Sequence, residues 1–242
     1  MKVLVVGANS DVSRELLNLF AAEGDDLILL SRDVENLKLL KKDIETRYED
    51  VKVEVDYLDV TDKNSFNPIF DKFKEVDCLI YIAGYLGDNE RALLDMEEAE
   101  KILNTNFTGA VLFINHFAME FAKRGSGIIV GFSSVAGDRG KSSNFIYGSA
   151  KGGFSVYLQG LRNYLFKKGV KVLTVKPGFI ATKMTENMVL PKALTASPQE
   201  VAKDVFRAIK KEKDIVYTKW FWKFIMLIIK LIPERIFKKM NM

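Results

Sequence analysis

Short runs rich in Val, Ile and Leu alternate along this chain with longer segments whose apolar residues recur at helical spacing. Strands that are apolar throughout are typical of a parallel sheet buried on both faces, with helices as the crossovers between strands. The pattern therefore predicts a single α/β domain with a doubly wound, largely parallel sheet of about seven strands. The predicted strands are Lys2 to Val6, Leu27 to Leu30, Val51 to Val55, Cys78 to Ile82, Gly127 to Phe132, Val170 to Val175 and Asp214 to Tyr217. The predicted helices are Ser13 to Glu23, Val34 to Tyr48, Lys63 to Phe73, Asn106 to Lys123 and Tyr147 to Lys168.

Size and composition restrict the classes of function. The chain has 242 residues, of which 48% are hydrophobic, and this is enough for one substantial core. Its net charge of +4 is too small and too dispersed to indicate a nucleic-acid partner. Because the chain has a single histidine, His116, and a single cysteine, Cys78, we expect no metal site. The N-terminus lacks the pattern of a signal peptide, so we expect a cytoplasmic protein.

A phenol and an ammonium group lie four residues apart, at Tyr147 and Lys151. Ser134 lies 13 positions upstream of the tyrosine, and Asn106 lies further back. Positions i and i+4 of a helix share one face, so the Lys151 charge could favour the ionised form of the phenol. A tyrosine placed in this way could transfer a proton during hydride chemistry. The alternative is an ordinary solvated face of an amphipathic helix.

The turn after the first strand begins with Gly7 and continues through Asn9, Ser10, Asp11 and Val12. The free backbone amides of the following helix could bind a pyrophosphate, so these five residues are candidate dinucleotide contacts. The Asp11 carboxylate would be unfavourable beside a diphosphate unless it points away. The alternative is a helix N-terminus that is simply capped by Ser10 or Asp11.

The end of the second strand bears on the choice of cofactor. Ser31 and Arg32 stand where a basic group commonly binds the additional phosphate of NADP(H). Asp33 could reverse the preference toward NAD(H) by binding the ribose hydroxyls if the turn is shifted. Asp59 and Val60, which close the third strand, are candidates to border the adenine. We expect NADP(H) as the preferred cofactor and NAD(H) as the alternative.

Over nearly its whole length the chain resembles the short-chain dehydrogenase/reductase family. The resemblance is carried by Asn104-Thr105-Asn106-Phe107-Thr108-Gly109, Phe132-Ser133-Ser134-Val135-Ala136-Gly137, Tyr147 with Lys151, and Pro177-Gly178-Phe179-Ile180-Ala181-Thr182. It implies a Rossmann-type fold in which Tyr147 is the acid and Ser134 orients the carbonyl. It also implies that Lys151 lowers the phenol pKa and binds ribose, and that Asn106 holds a water in a proton relay. Further cofactor contacts implied by the resemblance are Tyr147, Lys151, Ala83, Gly84, Pro177, Gly178, Ile180 and Thr182.

The chain departs from the family pattern at the glycine turn and at Tyr81-Ile82-Ala83-Gly84. A narrower resemblance, to the keto-reducing partner of decaprenylphosphoryl-ribose epimerases, accounts for these departures. It is carried by Gly84-Tyr85-Leu86-Gly87-Asp88, Ser133-Ser134-Val135-Ala136-Gly137-Asp138-Arg139 and Ser143-Asn144-Phe145-Ile146-Tyr147-Gly148-Ser149. It implies reduction of a 2-keto sugar on a polyprenyl phosphate, a flavin-dependent oxidase partner and a role in cell-envelope polysaccharide synthesis.

Other functions remain open at this point. A long-chain 3-keto lipid or acyl thioester could replace the lipid-linked sugar as the substrate. The altered residues Asp11 and Ser13 also allow a nucleotide-sensing or scaffold protein that has lost turnover. Related reductases commonly pair through the long helices beside the fifth strand, so we expect a homo-oligomer.

The last residues, 219–242, form a separate tail after a domain of residues 1–218. From Trp220 to Ile232 the tail is apolar except for Lys223 and Lys230, and thirteen residues are too few to cross a bilayer. Interleaved aromatic and basic residues are typical of a helix at the membrane surface. The alternatives are a lid over the substrate pocket and a helix buried against another subunit. Arg91 and Arg139 could meet a substrate phosphate at the pocket mouth.

Overall fold

A parallel sheet of seven strands forms the centre of the computed structural model, which describes residues 1–186 and 188–240. Its strand order, β3-β2-β1-β4-β5-β6-β9, confirms the predicted doubly wound α/β fold. Two further short strands, β7 and β8, pair with each other outside this sheet. The strands are β1 (Lys2–Val6), β2 (Asp26–Ser31), β3 (Val53–Tyr57), β4 (Cys78–Tyr81), β5 (Gly127–Phe132), β6 (Val170–Pro177), β7 (Phe179–Ile180), β8 (Thr195–Ala196) and β9 (Ile215–Thr218).

Helices cover both faces of the sheet and enclose two apolar cores. The core on one face is formed with α1, α2 and α7, and the core on the other face with α3, α5 and α6. The described helices are α1 (Asp11–Ala22), α2 (Val34–Arg47), α3 (Phe66–Phe73), α4 (Met96–Leu103), α5 (Gly109–Arg124), α6 (Phe145–Phe166), α7 (Pro198–Lys210), α8 (Trp222–Leu231) and α9 (Glu234–Phe237). The strands are continuous apolar runs in the sequence because their residues are buried on both faces of the sheet.

Two helical segments differ from the prediction. The helix expected from Asn106 begins earlier, at Met96, and passes through a π-helical turn before it continues as α5. Helix α7 was not predicted, although its start carries a capping box in which Ser197 and Glu200 bind each other's backbone amides. Pro198 at the first position of α7 is a further start signal in the sequence.

The sheet order reverses between β1 and β4, and ligands of open parallel sheets bind at the carboxyl ends of strands beside such a reversal. The backbone leaves β1 through Gly7, which has a φ of +88°. An ideal Cβ on Gly7 would lie 2.7 Å from the backbone nitrogen of Ala83, so the two strand ends approach too closely for a side chain. The crevice between these two strand ends is therefore narrow.

The C-terminal segment folds back over the carboxyl end of the sheet. Trp222 and Met226 of α8 and Phe237 of α9 are buried, whereas Phe224 and Ile228 are exposed. Within residues 1–186 and 188–240, no helix has both the length and the apolar character that a membrane crossing requires. The division into a domain of residues 1–218 and a tail of residues 219–242 stays a prediction.

Candidate active site

Asn106 lies in the π-helical turn Asn104–Thr108 and is fully buried. In this turn the amide of Gly109 donates to the carbonyl of Asn104, five residues back. The two Nδ2 hydrogens of Asn106 are donated to the carbonyls of Ile102, at 2.8 Å, and Tyr85, at 2.6 Å. The amide of Tyr85 donates to Oδ1 at 3.2 Å. These bonds fix the orientation of the Asn106 side chain.

Ser134 begins the short turn that follows β5. Its hydroxyl accepts a hydrogen bond from the amide of Ala136 at 3.1 Å. The same turn packs against α6 without space for a side chain, since an ideal Cβ on Gly137 would lie 2.6 Å from the nitrogen of Gly152. This close approach brings Ser134 beside Tyr147, and both residues line one cavity.

Tyr147 and Lys151 share a face of α6, as their spacing predicts. The Lys151 ammonium donates to the carbonyl of Phe132 at 2.8 Å and lies 5.8 Å from the centroid of the Tyr147 ring. Burial lowers the pKa of Lys151 to about 7. Burial also raises the pKa of Tyr147 to about 12, and the Ser134 hydroxyl opposes this shift by hydrogen bonding. In the protein alone, burial thus outweighs the acidifying effect that we expected from Lys151.

Gly84 leaves a gap between two of the predicted catalytic side chains. A point at the ideal Cβ position of Gly84 lies 3.2 Å from Asn106 Oδ1 and 3.6 Å from Lys151 Nζ. Both polar atoms therefore face the same small space. The arrangement is suited to a polar group or water that contacts both.

The predicted dinucleotide contacts lie around two adjoining clefts of about 370 and 520 Å³. Every predicted cofactor residue except Gly178 lines at least one of them, namely Gly7, Asn9, Ser10, Asp11, Val12, Ser31, Arg32, Asp59, Val60, Ala83, Gly84, Tyr147, Lys151, Pro177, Ile180 and Thr182. Asn9 donates from Nδ2 to Ser31 Oγ, at 2.6 Å, and to the carbonyl of Asp33, at 2.9 Å. Its buried Oδ1 has no hydrogen-bond partner in the described part of the chain. This free acceptor and the close approach at Gly7 fit a dinucleotide lying in the clefts.

The degraded glycine turn is supported by hydroxyl groups. Ser13 stands where a glycine would be usual, is fully buried and donates to the carbonyl of Gly7 at 3.0 Å. Ser10 caps α1 by accepting from the amide of Ser13. The Asp11 carboxylate accepts a hydrogen bond from the amide of Lys183 at 3.1 Å, across the crevice. A backbone N–H donor therefore stabilises the negative charge of the Asp11 carboxylate.

Asp33 caps α2, which affects whether Arg32 or Asp33 contacts the cofactor. Its carboxylate accepts from the amide of Asn36 at 3.0 Å. Arg32 is exposed at the edge of both clefts. Asp59 accepts from the amide and the hydroxyl of Thr61 at 2.9 and 2.8 Å. Arg32 is therefore the group after β2 that is open to a phosphate.

A third cavity, of about 390 Å³, adjoins the clefts and contains Ser134, Tyr147 and Gly178. Its walls are largely apolar and come from three parts of the chain, and the contribution of α8 agrees with the lid that the sequence analysis gave as one alternative for the tail. These are the turns after β5, the segment after β6 and the inner face of α8. The principal wall residues are Val135, Phe179, Met184, Met188, Leu194, Trp222, Ile225, Met226 and Ile229. Helix α8 is apolar on most of its surface. Only the helical spacing of residues 222, 225, 226 and 229 indicates that they share the face toward the cavity.

The two arginines considered for a substrate phosphate are engaged elsewhere. Arg91 donates to the Asp95 carboxylate at 3.0 and 2.9 Å, in an exposed ion pair. Arg139 Nη1 donates to the carbonyls of Ile229 and Ile232, both at 2.6 Å, and Nη2 donates to Glu234 at 2.9 Å. Arg139 thus binds the C-terminal end of α8.

Comparisons with known proteins show which family the chain resembles. The sequence pattern of the family described as short chain dehydrogenase matches residues 1–192. An uncharacterized oxidoreductase of Mycobacterium tuberculosis is 29% identical over 242 residues, which are 98% of this chain and 96% of the relative. A 3-oxoacyl acyl-carrier-protein reductase of Synechocystis is 34% identical over 139 residues, which are 54% of this chain and 56% of that protein.

Solved structures share the fold. A short-chain dehydrogenase from Sphingobium yanoikuyae in complex with NADPH matches with a TM-score of 0.83 and 24% identity, over 89% of this chain and 86% of that chain. A short chain dehydrogenase from Burkholderia cenocepacia in complex with NADP matches with a TM-score of 0.83 and 21% identity, over 98% of this chain and 96% of that chain.

Proposed function

This chain belongs to the short-chain dehydrogenase family and is an oxidoreductase, and we propose that it is an NADP(H)-preferring carbonyl reductase. One observation carries the proposal. Tyr147 lines both the dinucleotide cleft and the apolar cavity, and Ser134 lies beside it in the cavity. A ketone in the cavity therefore meets a phenol and a hydroxyl at the border of the cofactor site.

Each predicted catalytic residue has a distinct task in the proposed reaction. A bound NADPH supplies the hydride. Ser134 holds the carbonyl oxygen, and Tyr147 donates a proton to it. Because the pKa of Tyr147 is raised to about 12, the phenol is protonated at neutral pH and ready to donate. A water that donates a hydrogen bond to Asn106 Oδ1 would supply the proton that returns through Lys151 to the phenol.

Cofactor preference follows from the residues after β2. Ser31 and Arg32 line the cleft, and a guanidinium is well suited to a phosphate oxygen. Asp33 is occupied in capping α2, which favours NADP(H) over NAD(H). NAD(H) is the alternative cofactor, and the variant Arg32→Ala distinguishes between the two.

The apolar cavity favours a ketone that is attached to an apolar carrier. We propose the 2-keto group of a sugar on a polyprenyl phosphate, produced by a flavin-dependent oxidase partner. The narrower sequence resemblance and the apolar inner face of α8 support this substrate. A long-chain 3-keto acyl thioester is the second candidate, and the likeness to a 3-oxoacyl acyl-carrier-protein reductase over half of the chain favours it. Assays of NADPH consumption with each ketone class distinguish the two.

Replacement of Tyr147 by Phe tests the reaction itself. General acid catalysis contributes about a hundred- to ten-thousandfold, so kcat of Tyr147→Phe is expected to fall by that factor. Tyr157→Phe is the matched control, since Tyr157 also lies on α6 but donates to Asn115 away from the cavity. Turnover by Tyr147→Phe at nearly the parent rate would exclude Tyr147 as the general acid.

The outer face of α8 supports peripheral binding to the inner face of the cytoplasmic membrane. Phe224, Leu227 and Ile228 are exposed there, with Lys223 and Lys230 on the same helix. Apolar side chains could enter the headgroup region while the lysines meet anionic lipid. Leu227→Ser with Ile228→Ser is expected to reduce sedimentation with phosphatidylglycerol vesicles, whereas Leu39→Ser on α2 leaves it unchanged. Equal sedimentation of both variants would exclude this surface. A homo-oligomer through α5 and α6 stays a prediction.

A further inference from the structure

Two polar side chains at one end of the apolar cavity have no side-chain partner among residues 1–186 and 188–240. Lys141 and Asn144 both line the cavity of about 390 Å³. They lie at the two ends of one turn, where the amide of Asn144 donates to the carbonyl of Lys141 at 3.4 Å. The turn leads directly into α6, which carries Tyr147.

Lys141 presents an unpaired ammonium group to the cavity. Its side chain is partly buried, and burial lowers its pKa. Among residues 1–186 and 188–240, no carboxylate or carbonyl binds its Nζ. A partly desolvated cation without a partner destabilises a protein, and an anionic ligand in the cavity would offset this cost.

Asn144 presents an unpaired acceptor in the same place. It is the residue before α6, where an asparagine side chain often caps the helix, but it makes no capping hydrogen bond. Its Oδ1 is shielded from solvent and has no hydrogen-bond partner among the described residues. A buried acceptor of this kind is satisfied by a hydroxyl or N–H donor of a ligand.

Arg139 also lines the cavity but does not compete for this role. Its guanidinium donates to three carbonyls of the tail and to the Glu234 carboxylate. In the described part of the chain, Lys141 is therefore the cation that faces the cavity without a partner.

We propose that Lys141 and Asn144 recognise an acidic headgroup on the ketone substrate. Lys141 binds an anionic oxygen of a phosphate or carboxylate, and Asn144 Oδ1 accepts a hydrogen bond from a neighbouring hydroxyl. An apolar chain then lies along Ile225 and Ile229 of α8. The substrate class is an acidic amphiphile, and the inference rests on the proposed function because the same cavity holds the ketone.

Binding of simple amphiphiles tests the headgroup subsite without turnover. Trp220→Phe leaves Trp222, which lines the cavity, as the single tryptophan. Its fluorescence is titrated with decyl phosphate, decanoate and decanol below their micelle concentrations. The two anions are expected to bind about tenfold or more tighter than decanol, because a charge-assisted hydrogen bond adds to the same apolar contact. The relative affinity of the two anions shows whether phosphate or carboxylate is the better headgroup.

Lys141→Met in this background is expected to weaken both anions to the affinity of decanol and to change decanol by less than about twofold. Lys192→Met is the matched control, because Lys192 is exposed in the segment before β8 and does not line this cavity. Thermal unfolding of Lys141→Met is expected at or above the parent temperature, since an unpaired charge is removed. Equal affinities of all three amphiphiles in the parent, or equal losses on all three in Lys141→Met, would overturn the proposal. Failure of every ketone assay with preserved anion selectivity would instead contradict the proposed reaction.

Discussion

The indole of Trp222 lies directly over the backbone of Gly178, at the end of β6. An ideal Cβ on Gly178 would be 2.0 Å from Trp222 Nε1, so the contact requires a glycine. Nε1 also donates to the carbonyl of Leu194 at 3.2 Å. This packing attaches α8 to the loop that covers the cavity.

Gly178→Ala is therefore expected to displace α8. Overpacking of a close contact costs about 1–3 kcal/mol, and the free energy of unfolding should fall by this amount in urea titrations. Proteolysis of the C-terminal segment should become faster. Gly160→Ala is the control, since an added Cβ at Gly160 meets no atom within 4 Å. Equal stability of the two variants would contradict the packing described here.

Arg139→Gln is expected to loosen the end of α8. The guanidinium is largely buried and donates to three carbonyls and a carboxylate, so its loss should cost about 2 kcal/mol. Amide hydrogen exchange should accelerate at Ile232 and in the last turn of α8. Arg91→Gln, which breaks an exposed pair with Asp95, should cost less than about 1 kcal/mol. Unchanged exchange in Arg139→Gln would show that the tail does not depend on this group.

Gly84→Ala is expected to slow proton return to Tyr147. The added methyl would occupy the space between Asn106 Oδ1 and Lys151 Nζ, at 3.2 and 3.6 Å. We expect kcat to fall by about tenfold and the solvent isotope effect to rise, while the unfolding midpoint stays near that of the parent. A normal kcat in Gly84→Ala would exclude a relay through this gap.

Lys151 gives the stability a defined dependence on pH. Its pKa is about 7 in the folded protein, and about 10.4 in an unfolded chain. The unfolded state binds more protons between these values, so the cost of burying Lys151 is complete below pH 7 and is relieved as the pH rises. Relative to Lys151→Met, the free energy of unfolding of the parent should rise by about 3 kcal/mol between pH 7 and 9.5 in denaturant titrations. A constant difference across this range would show that the ammonium is not desolvated.

Arg32→Ala tests the cofactor preference. Loss of a guanidinium–phosphate contact should raise KM for NADPH by about tenfold and leave KM for NADH nearly unchanged. Lys42→Ala, on the outer side of α2, is the control for general loss of positive charge. Equal changes in KM for NADPH and NADH would mean that Arg32 does not bind the additional phosphate.

The strands and the catalytic spacing could be predicted because each is encoded locally. Val3 to Val6 are all buried, which gives an uninterrupted apolar run, and Tyr147 and Lys151 face the same way by helical geometry. The π-helical turn has no such local signal, and Gly109 at its end packs against a distant segment, since an ideal Cβ on Gly109 would lie 2.0 Å from the carbonyl oxygen of Val60.

Other parts of the site depend on contacts between distant segments. In α8 both faces are apolar, so hydrophobicity does not distinguish Met226, which lines the cavity, from Leu227, which is exposed. Lys141 lies in no motif that was identified in the sequence, and Asn144 lies in one that assigned it no role, so their significance depends on the absence of partners among the described residues.

The hydrogen bond between the Asp11 carboxylate and the amide of Lys183 spans the crevice from α1 to the segment after β7. One end belongs to the nucleotide turn and the other to the segment whose residues Thr182 and Met184 border the cavity, so a single hydrogen bond joins the two compartments. If nucleotide binding strengthens ketone binding through this bond, thermodynamic reciprocity requires that ketone binding strengthen nucleotide binding by the same factor.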